Sequence, residues 1–226
     1  MAIQLKSTSG FSQNGVKILT YGFSGAGKTS LIATLPKPVV LSAEGGLLSI
    51  ADADLPYVEI SDMETLIEAY QWATQSGEAK SFDSIALDSI SEIAEVVLNA
   101  EKKKTKDPRQ AYGALIEQMQ DLIRAFRDIS GKHVYFTAKC EQQKDEQGRM
   151  LYSPSMPGAR LGQQIGYFFD EVFALRVEKN EEGQNVRALQ CDTDGLWQAK
   201  DRSGKLDPWE MPDLGAVIQK IQGGGE

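Results

Sequence analysis

One glycine-rich segment of the chain has the residue types that bind phosphate. Residues 22–29 read GFSGAGKT and fit the pattern G-x-x-x-x-G-K-[S/T], between an apolar β-prone run and a predicted helix. Glycines let the backbone curl so that its N–H groups point at phosphate oxygens, and a helix amino terminus adds partial positive charge. The residues predicted to surround the phosphates are Gly22, Ser24, Gly25, Ala26, Gly27, Lys28, Thr29 and Ser30.

Two side chains of this motif have a chemical role, and they need an acidic partner. Lys28 would reach the β- and γ-phosphates of a nucleoside triphosphate, and the Thr29 hydroxyl would hold Mg²⁺. An acidic residue at the end of a second strand must orient the metal. The run SIALD over residues 84–88 predicts an apolar strand that ends in Asp88, our candidate for this role. The alternative is that Asp88 or Ser89 caps the following helix.

Glu44 is a further candidate for chemistry. It follows the apolar run 39–42, which predicts a buried strand, and the carboxyl ends of parallel strands share one crevice. A carboxylate in that crevice can orient or deprotonate an attacking water, so we predict that Glu44 is catalytic. A solvated loop acid is the alternative.

The elements that must position these residues alternate between strand and helix. Strands are predicted over 16–21, 39–42, 57–60, 82–88 and 133–138. Helices are predicted over 29–35, 61–75, 89–103 and 107–129, the second of them opened by a capping box at Ser61. This alternation predicts an α/β fold with a mostly parallel central sheet and helices on both faces.

The last third of the chain has a different pattern. Period-two runs over 172–178 and 186–191 flank a polar turn and predict an antiparallel hairpin that extends one edge of the sheet. A further strand is predicted over 196–200 and a closing helix over 212–221. The predicted organisation is therefore an amino-terminal arm over 1–15, a single domain over 16–222 and a disordered tail over 223–226.

Composition limits the partners that the chain can have. With 24 Lys and Arg against 32 Asp and Glu, the net charge is −8, which does not suit a protein that coats DNA by charge alone. Any nucleic-acid contact must therefore be local. The sequence shows no signal peptide and no long apolar run, so we expect a cytoplasmic protein that does not enter a membrane, with both cysteines reduced.

Two segments are candidates for such local contact. The first is a concentrated run of positive charge formed by Lys102, Lys103, Lys104, Lys106 and Arg109. The second is a long segment without predicted secondary structure, residues 140–160, whose candidate contacts are Lys144, Arg149, Tyr152 and Arg160. Binding of single strands without sequence preference needs cations for the backbone and rings on which bases stack, and Tyr152 is the one aromatic residue that this segment offers. For the first segment a solvated helix end is the alternative.

The order of these motifs resembles a known group of proteins. The phosphate loop, then Ala43-Glu44, then Leu87-Asp88-Ser89, then a strand that ends at Lys139 resembles the ATPase core of RecA-type recombinases. The chain resembles still more the short, core-only RecA-like ATP-binding proteins of phages, some of which act in single-strand annealing and recombination. The resemblance covers about residues 15–202. It implies a RecA-like P-loop NTPase fold with ATP and Mg²⁺ as cofactors.

The resemblance also implies roles for single residues. Glu44 matches the catalytic glutamate of the group and Asp88 its Mg²⁺-orienting aspartate. Lys139 stands where the recombinases have a glutamine that senses the γ-phosphate, which is a departure, and we predict that it contacts phosphate. Lys200 and Arg202 resemble the Lys-x-Lys pair with which such proteins reach the ATP of a neighbouring subunit. The two candidate nucleic-acid segments correspond to the mobile loops that face DNA in the group.

The resulting expectation is a Mg²⁺-dependent, DNA-dependent ATPase that binds single-stranded DNA and promotes annealing or strand pairing. It would assemble head to tail into a ring or a filament, with nucleotide between subunits and a single-strand-binding protein as a candidate partner. Two alternatives remain at this point: a P-loop kinase or phosphotransferase for small molecules, and a switch that binds ATP with negligible turnover.

Overall fold

A computed structural model of the chain describes residues 14–223. The predicted arm over 1–15 lies outside the described residues except for Asn14 and Gly15, and so does the predicted tail except for Gly223. Among the described residues, no helix is both long and apolar enough to cross a membrane.

One sheet organises the described part of the chain. Its ten strands are β1 Lys17–Gly22, β2 Pro38–Ser42, β3 Tyr57–Glu59, β4 Ser84–Asp88, β5 His133–Lys144, β6 Met150–Pro154, β7 Glu171–Lys179, β8 Asn185–Gln190, β9 Lys200–Asp201 and β10 Trp209–Glu210. The α-helices are α1 Met63–Gln75, α2 Ile90–Lys104, α3 Pro108–Arg127, α4 Ala159–Gln164 and α5 Leu214–Gln222.

The central strands of the sheet are parallel, as predicted. The strand order is β10-β8-β7-β1-β5-β4-β2-β3, and every neighbouring pair from β7 to β3 is parallel. The antiparallel strands β8 and β9 pair with β7, β10 pairs with β8, and β6 pairs with β5. The hairpin predicted at one edge is therefore present as β7 and β8. Strand β1 lies in the middle, so its carboxyl end opens onto the ends of β5, β4 and β2.

The two faces of the sheet have separate hydrophobic cores. Side chains alternate between the faces along β1, so Leu19 and Tyr21 pack beneath α1, α2, α3 and α4. Ile18 points to the other face, where α5 and the short helices that follow β1 and β2 cover the sheet. The predicted arrangement of helices on both faces is confirmed. It holds the strand ends in fixed positions, as a site made from several strands requires.

The helix predicted after the phosphate motif is wrong in type and length. The segment forms a 3-10 helix over Ser30–Thr34, and Leu35 is already extended. Only a few residues separate the motif from Pro36, fewer than an α-helix needs to become stable. The Thr34 hydroxyl bonds back to the carbonyl of Leu31 at 2.7 Å and completes the turn. The partial positive charge expected from an α-helix amino terminus at the phosphates is therefore reduced to that of a short 3-10 helix.

The segment predicted to lack structure, residues 140–160, is also different. Strand β5 continues past the sheet to Lys144 and pairs with β6 in an antiparallel hairpin. Asp145 N–H donates to the carbonyl of Arg149 at 3.0 Å, and Gly148 has a φ of 80°, which closes the turn. Few of its residues are buried, so the sequence has no regular apolar alternation to reveal the hairpin.

Two smaller predictions need correction. The strand predicted over 196–200 is reduced to a single bridge between Trp197 and Tyr152, followed by the two-residue β9. Helix α1 is capped by Asp62, whose carboxylate accepts from Thr65 N–H at 2.9 Å, and not by the capping box predicted at Ser61.

Candidate functional site

The glycine-rich segment forms an open cradle at the carboxyl end of β1. Gly25 and Gly27 have φ values of 76° and 105°, which side-chain-bearing residues rarely adopt. A Cβ on Gly22 would approach the carbonyl oxygen of Leu175 to 3.0 Å, so this position also needs glycine. The predicted strand and loop are therefore arranged as the motif requires, while a short 3-10 helix replaces the predicted α-helix. The cleft beside the cradle has a volume of about 670 Å³, within the range of small-ligand sites.

Lys28 folds back over the cradle. Its Nζ donates to the carbonyl oxygens of Gly22 at 3.0 Å and Phe23 at 3.1 Å. Burial lowers the pKa of Lys28, while the nearby carboxylates Glu44 and Asp88 oppose that shift. The ammonium is thus held at the mouth of the cradle by carbonyl groups that phosphate oxygens can replace.

Asp88 lies at the centre of a network of hydroxyl groups. Thr29 Oγ1 donates to its Oδ2 at 2.8 Å, and Thr137 Oγ1 donates to its Oδ1. Burial raises the pKa of Asp88, and these two hydrogen bonds counteract part of that shift. Helix α2 is capped by Ser89, whose Oγ accepts from the N–H of Glu92 at 3.4 Å. The capping alternative for Asp88 is therefore wrong, and its carboxylate faces the motif threonine.

Glu44 reaches the same cleft from the end of β2. Ser89 Oγ donates to Glu44 Oε1 at 2.6 Å, and Lys139 Nζ is 4.0 Å from that oxygen. Lys139 also donates to Glu92 Oε2 at 2.6 Å, and this hydrogen bond is the main reason that the pKa of Lys139 is raised. The predicted catalytic glutamate and the predicted phosphate contact therefore lie next to each other beside the cradle.

A buried serine connects this site to the β5–β6 hairpin. Ser91, in the first turn of α2, accepts from the N–H of Lys139 at 3.0 Å and donates to the carbonyl of Ser155 at 2.7 Å. The N–H of Ser155 donates to the carbonyl of Lys139 at 2.7 Å. The base of the hairpin and the start of α2 are thus held together next to the candidate sensor, Lys139.

Lys200 and Arg202 lie away from the cradle of their own chain. Lys200 is paired in register with Val172, near the amino end of β7, whereas the cradle is at the carboxyl end of the parallel strands. Lys200 Nζ donates to the carbonyls of Gly166 at 2.8 Å and Phe169 at 2.6 Å, and Arg202 pairs with Asp170 at 2.9 Å. These two residues do not contribute to phosphate binding within one chain, and their predicted role across subunits stays a prediction.

The two predicted nucleic-acid segments approach each other at Tyr112 on α3. Lys102 Nζ is 5.9 Å from the centroid of the Tyr112 ring. A Cβ on Gly158, which precedes α4, would lie 3.5 Å from Cδ1 of the same ring. The predicted cations of these two segments that flank Tyr112 in sequence are all exposed, namely Lys102, Lys103, Lys104, Lys106, Arg109 and Arg160. Lys104 is paired with Glu101 at 2.6 Å.

The remaining predicted contacts lie along the β5–β6 hairpin. Lys144 and Arg149 are exposed, and Arg149 pairs with Asp145 at 2.7 Å. Tyr152 stacks on Trp197 with ring centroids 4.0 Å apart and meets the edge of Phe23 at 6.1 Å. One face of the ring predicted to stack on bases is therefore covered, because this ring packs the hairpin against the cradle.

Sequence reasoning missed Arg187, another cation at the cradle. It lies on β8, and its Nε donates to the carbonyl of Ala26 at 2.9 Å. The available signal was its place in a predicted hairpin, but 161 positions separate the two residues. Only the sheet order, which places β8 two strands from β1, brings them together.

The donors at the cradle fit a nucleotide with its divalent cation. Hydroxyl and carboxylate oxygens are the ligands that Mg²⁺ prefers, and Thr29 and Asp88 present both within hydrogen-bond distance of each other. Lys28 and the glycine backbone supply positive charge and open space for phosphate oxygens. The fold and this site together define a P-loop NTPase.

A comparison with protein families gives a more specific assignment. Residues 14–203 match a family described as AAA domain. The chain therefore belongs to the AAA domain family, a group of nucleotide-binding ATPase domains. A search of curated proteins found no match.

Proposed function

We propose that this AAA domain protein binds and hydrolyses ATP with Mg²⁺, binds single-stranded DNA, and promotes annealing or strand pairing as a head-to-tail assembly. The observation that carries the nucleotide part is the Thr29–Asp88 hydrogen bond of 2.8 Å beside Lys28. Lys28, Thr29 and Asp88 thus lie together, and these are the side chains that would hold a triphosphate and its metal. The DNA part is supported by the position of the hairpin and by the exposed cations near Tyr112.

Each residue at the cradle has a defined part in ATP binding. The N–H groups of the glycine loop and the Lys28 ammonium would bind phosphate oxygens, and Thr29 with Asp88 would hold Mg²⁺. When bound, the metal neutralises the charge that develops on the phosphates. The Lys28 ammonium already donates to carbonyl oxygens of the loop, so on ATP binding phosphate oxygens would replace these carbonyl oxygens as its acceptors.

Hydrolysis needs a base for the attacking water, and Glu44 is the residue in place. Its side chain is 29% exposed, and the Ser89 hydroxyl donates to its carboxylate at 2.6 Å. In that position it would accept the proton of a water beside the γ-phosphate. Lys139, 4.0 Å away, would stabilise charge on the transferred group.

DNA binding is supported by two features of the structure. Strand β5 runs from Lys139, beside the cradle, directly into the hairpin that ends at Lys144. The exposed Lys102 at the end of α2 lies 5.9 Å from the Tyr112 ring, and Gly158, two residues before the exposed Arg160, borders the same ring. Because the whole chain has a charge of −8, such local cations must provide the attraction for DNA phosphates.

Head-to-tail assembly is supported by the position of two cations, Lys200 and Arg202. Both side chains reach the segment 166–170 and lie at the opposite end of the sheet from the cradle. In a head-to-tail contact, this end of one subunit would face the cradle of the next, where two cations stabilise phosphoryl transfer.

The test is binding of a fluorescent single-stranded oligonucleotide, with and without ATP and Mg²⁺, over a salt series. A triple variant of Lys102, Lys103 and Lys106 to Gln should reduce the salt slope, log Kd against log salt, by about 2, since each contact with a single-strand phosphate adds about 0.7. The matched control changes three exposed lysines elsewhere, Lys37, Lys80 and Lys179, to Gln. Absence of ATP-dependent binding at low salt would refute the DNA part of the proposal.

A further inference from the structure

Arg187 is placed beside the phosphate cradle by a rigid element. It lies on β8, in register with Val177 of β7, and six residue pairs hold these two strands together. Its Nε donates to the carbonyl of Ala26 at 2.9 Å, and a Cβ on Gly27 would approach that Nε to 3.4 Å. The arginine therefore contacts the middle of the glycine loop and lines the same cleft as Lys28 and Glu44.

The charge of Arg187 has no carboxylate partner among residues 14–223. Five of the seven other arginines in the described chain lie within 4.0 Å of a carboxylate, namely Arg124, Arg127, Arg149, Arg176 and Arg202, whereas the exposed Arg109 and Arg160 do not. Arg187 makes one hydrogen bond to a backbone oxygen, and its two terminal amino groups make none within the described residues. Because Arg187 is exposed and lines the cleft, these amino groups are accessible to a ligand bound there.

Lys28 shows the same arrangement on the other side of the loop. Its ammonium also donates to backbone carbonyls, those of Gly22 and Phe23, and lines the same cleft. Both cations are thus held by neutral oxygens, which an anion displaces with a gain in electrostatic energy. The planar fork of a guanidinium can engage two phosphate oxygens at once, which a lysine ammonium cannot do in that geometry.

We propose that Arg187 binds phosphate oxygens of the nucleotide held by its own chain. This inference rests on the proposed binding of ATP. It assigns to β8 a second phosphate-binding cation, contributed in cis, in addition to the motif lysine. The β7–β8 hairpin is then part of the nucleotide site and not only an extension of the sheet.

Calorimetric titration of ATP and Mg²⁺ into three variants tests this role. Arg187→Gln removes the charge but keeps a side-chain N–H that can donate to Ala26, whereas Arg187→Lys keeps the charge. Lys179→Gln removes the same charge from an exposed position on the same hairpin and is the control. Melting temperatures without nucleotide show whether each variant folds as the parent does.

We expect Arg187→Gln to raise the Kd for ATP by about 10- to 100-fold, the range for a lost charge-assisted hydrogen bond. Arg187→Lys should retain a Kd between those of the parent and the Gln variant, and Lys179→Gln should leave it within about twofold of the parent. An equal loss in the Lys and Gln variants, or a Kd within twofold of the parent in Arg187→Gln, would overturn the inference. If the parent itself binds no ATP, the proposed function fails and not this assignment alone.

Discussion

A lysine lies at each end of the region around strand β1, Lys17 at the start of the strand and Lys28 in the loop after it, and the surroundings of the two lysines differ. At the amino end, Lys17 Nζ donates to the carbonyls of Asn14 at 3.1 Å, Ile129 at 2.9 Å and Lys132 at 2.6 Å. At the carboxyl end, Lys28 donates to two carbonyls of its own loop. Burial lowers the pKa of both lysines, to about 8 for Lys17.

The difference lies in what surrounds the carbonyls. Lys17 joins the segment before β1 to the loop between α3 and β5 and is 7% exposed, so its cation holds these two parts of the chain together. Lys28 bonds only to the loop that carries it, faces the carboxylates Glu44 and Asp88, and borders an open cleft. A lysine that donates to carbonyl oxygens therefore has a structural role where those oxygens are enclosed, and can have a binding role where a ligand can take their place.

Among the tests of this comparison, the largest effect is expected at Glu44, beside the open cleft at the carboxyl end of β1. Glu44→Gln should lower kcat for ATP hydrolysis by about 1000-fold, because general-base catalysis contributes factors of about 10² to 10⁴. ATP should still bind, which calorimetry checks alongside a phosphate-release assay. Glu59→Gln changes an exposed acid at the end of β3; it is the control and should keep parental turnover.

A different outcome would indicate an ATP-dependent switch. In that case the parent has negligible turnover, and Glu44→Gln and Lys28→Ala abolish DNA annealing equally.

The next effect is expected at Lys28 itself. Lys28→Ala should weaken ATP binding by about 100-fold, the equivalent of about 2.7 kcal/mol, because a charged donor to the phosphates is lost. Its melting temperature should stay near that of the parent, since the carbonyls that it leaves border the open cleft and can bind water. Isothermal titration with Mg²⁺ and ATP gives the Kd, with the exposed Lys37→Ala as the control. A marked loss of stability with unchanged affinity would remove the contrast with Lys17.

At the amino end of β1, Lys17→Met should lower the stability of the fold and leave ATP affinity unchanged. Three carbonyl oxygens lose a charged donor, and we expect the free energy of unfolding to fall by about 2 kcal/mol. Urea denaturation measures this change, and ATP affinity at low temperature should match the parent. Lys37→Met, which removes an exposed ion pair with Asp83, should change stability by less than about 0.5 kcal/mol. If Lys17→Met were as stable as the parent, the fold at the amino end of β1 would not depend on the Lys17 cation.

The smallest effect concerns Glu171, which also lies near the amino end of β1. Burial raises the pKa of its carboxyl group from 4.5 to about 8. Between those values the folded chain binds more protons than the unfolded chain, so this group makes the free energy of unfolding fall as the pH rises. Glu171→Gln should remove that contribution. The difference in stability between parent and variant should therefore change by about 1 kcal/mol from pH 6 to pH 7, measured by denaturation at each pH. A constant difference would contradict the assignment.

The part of the site that could be predicted from sequence is the part encoded locally. The loop from Gly22 to Thr29 is a continuous motif, and Asp88 and Glu44 each follow a short apolar run that marks the end of a strand. A parallel sheet brings such strand ends together, so no further information was needed to group them. The same reasoning predicted helices on both faces and the hairpin of β7 and β8.

The rest depended on contacts that the sequence does not encode locally. Arg187 reaches the cradle only because the sheet places β7 and β8 beside β1. The β5–β6 hairpin extends beyond the sheet, where its residues bury little surface and lose the apolar alternation that marks a strand. Tyr152 looked available for stacking because nothing in its local sequence shows the Trp197 ring against it.

The first turn of α2 has a consequence for how the molecule moves. Within three residues it presents Ser89 to the carboxylate of Glu44 and Ser91 to both strands of the hairpin. That turn therefore connects the carboxylate proposed to activate water with the base of the hairpin. If Glu44 has that role, a displacement of the turn would change its orientation and the position of the hairpin together.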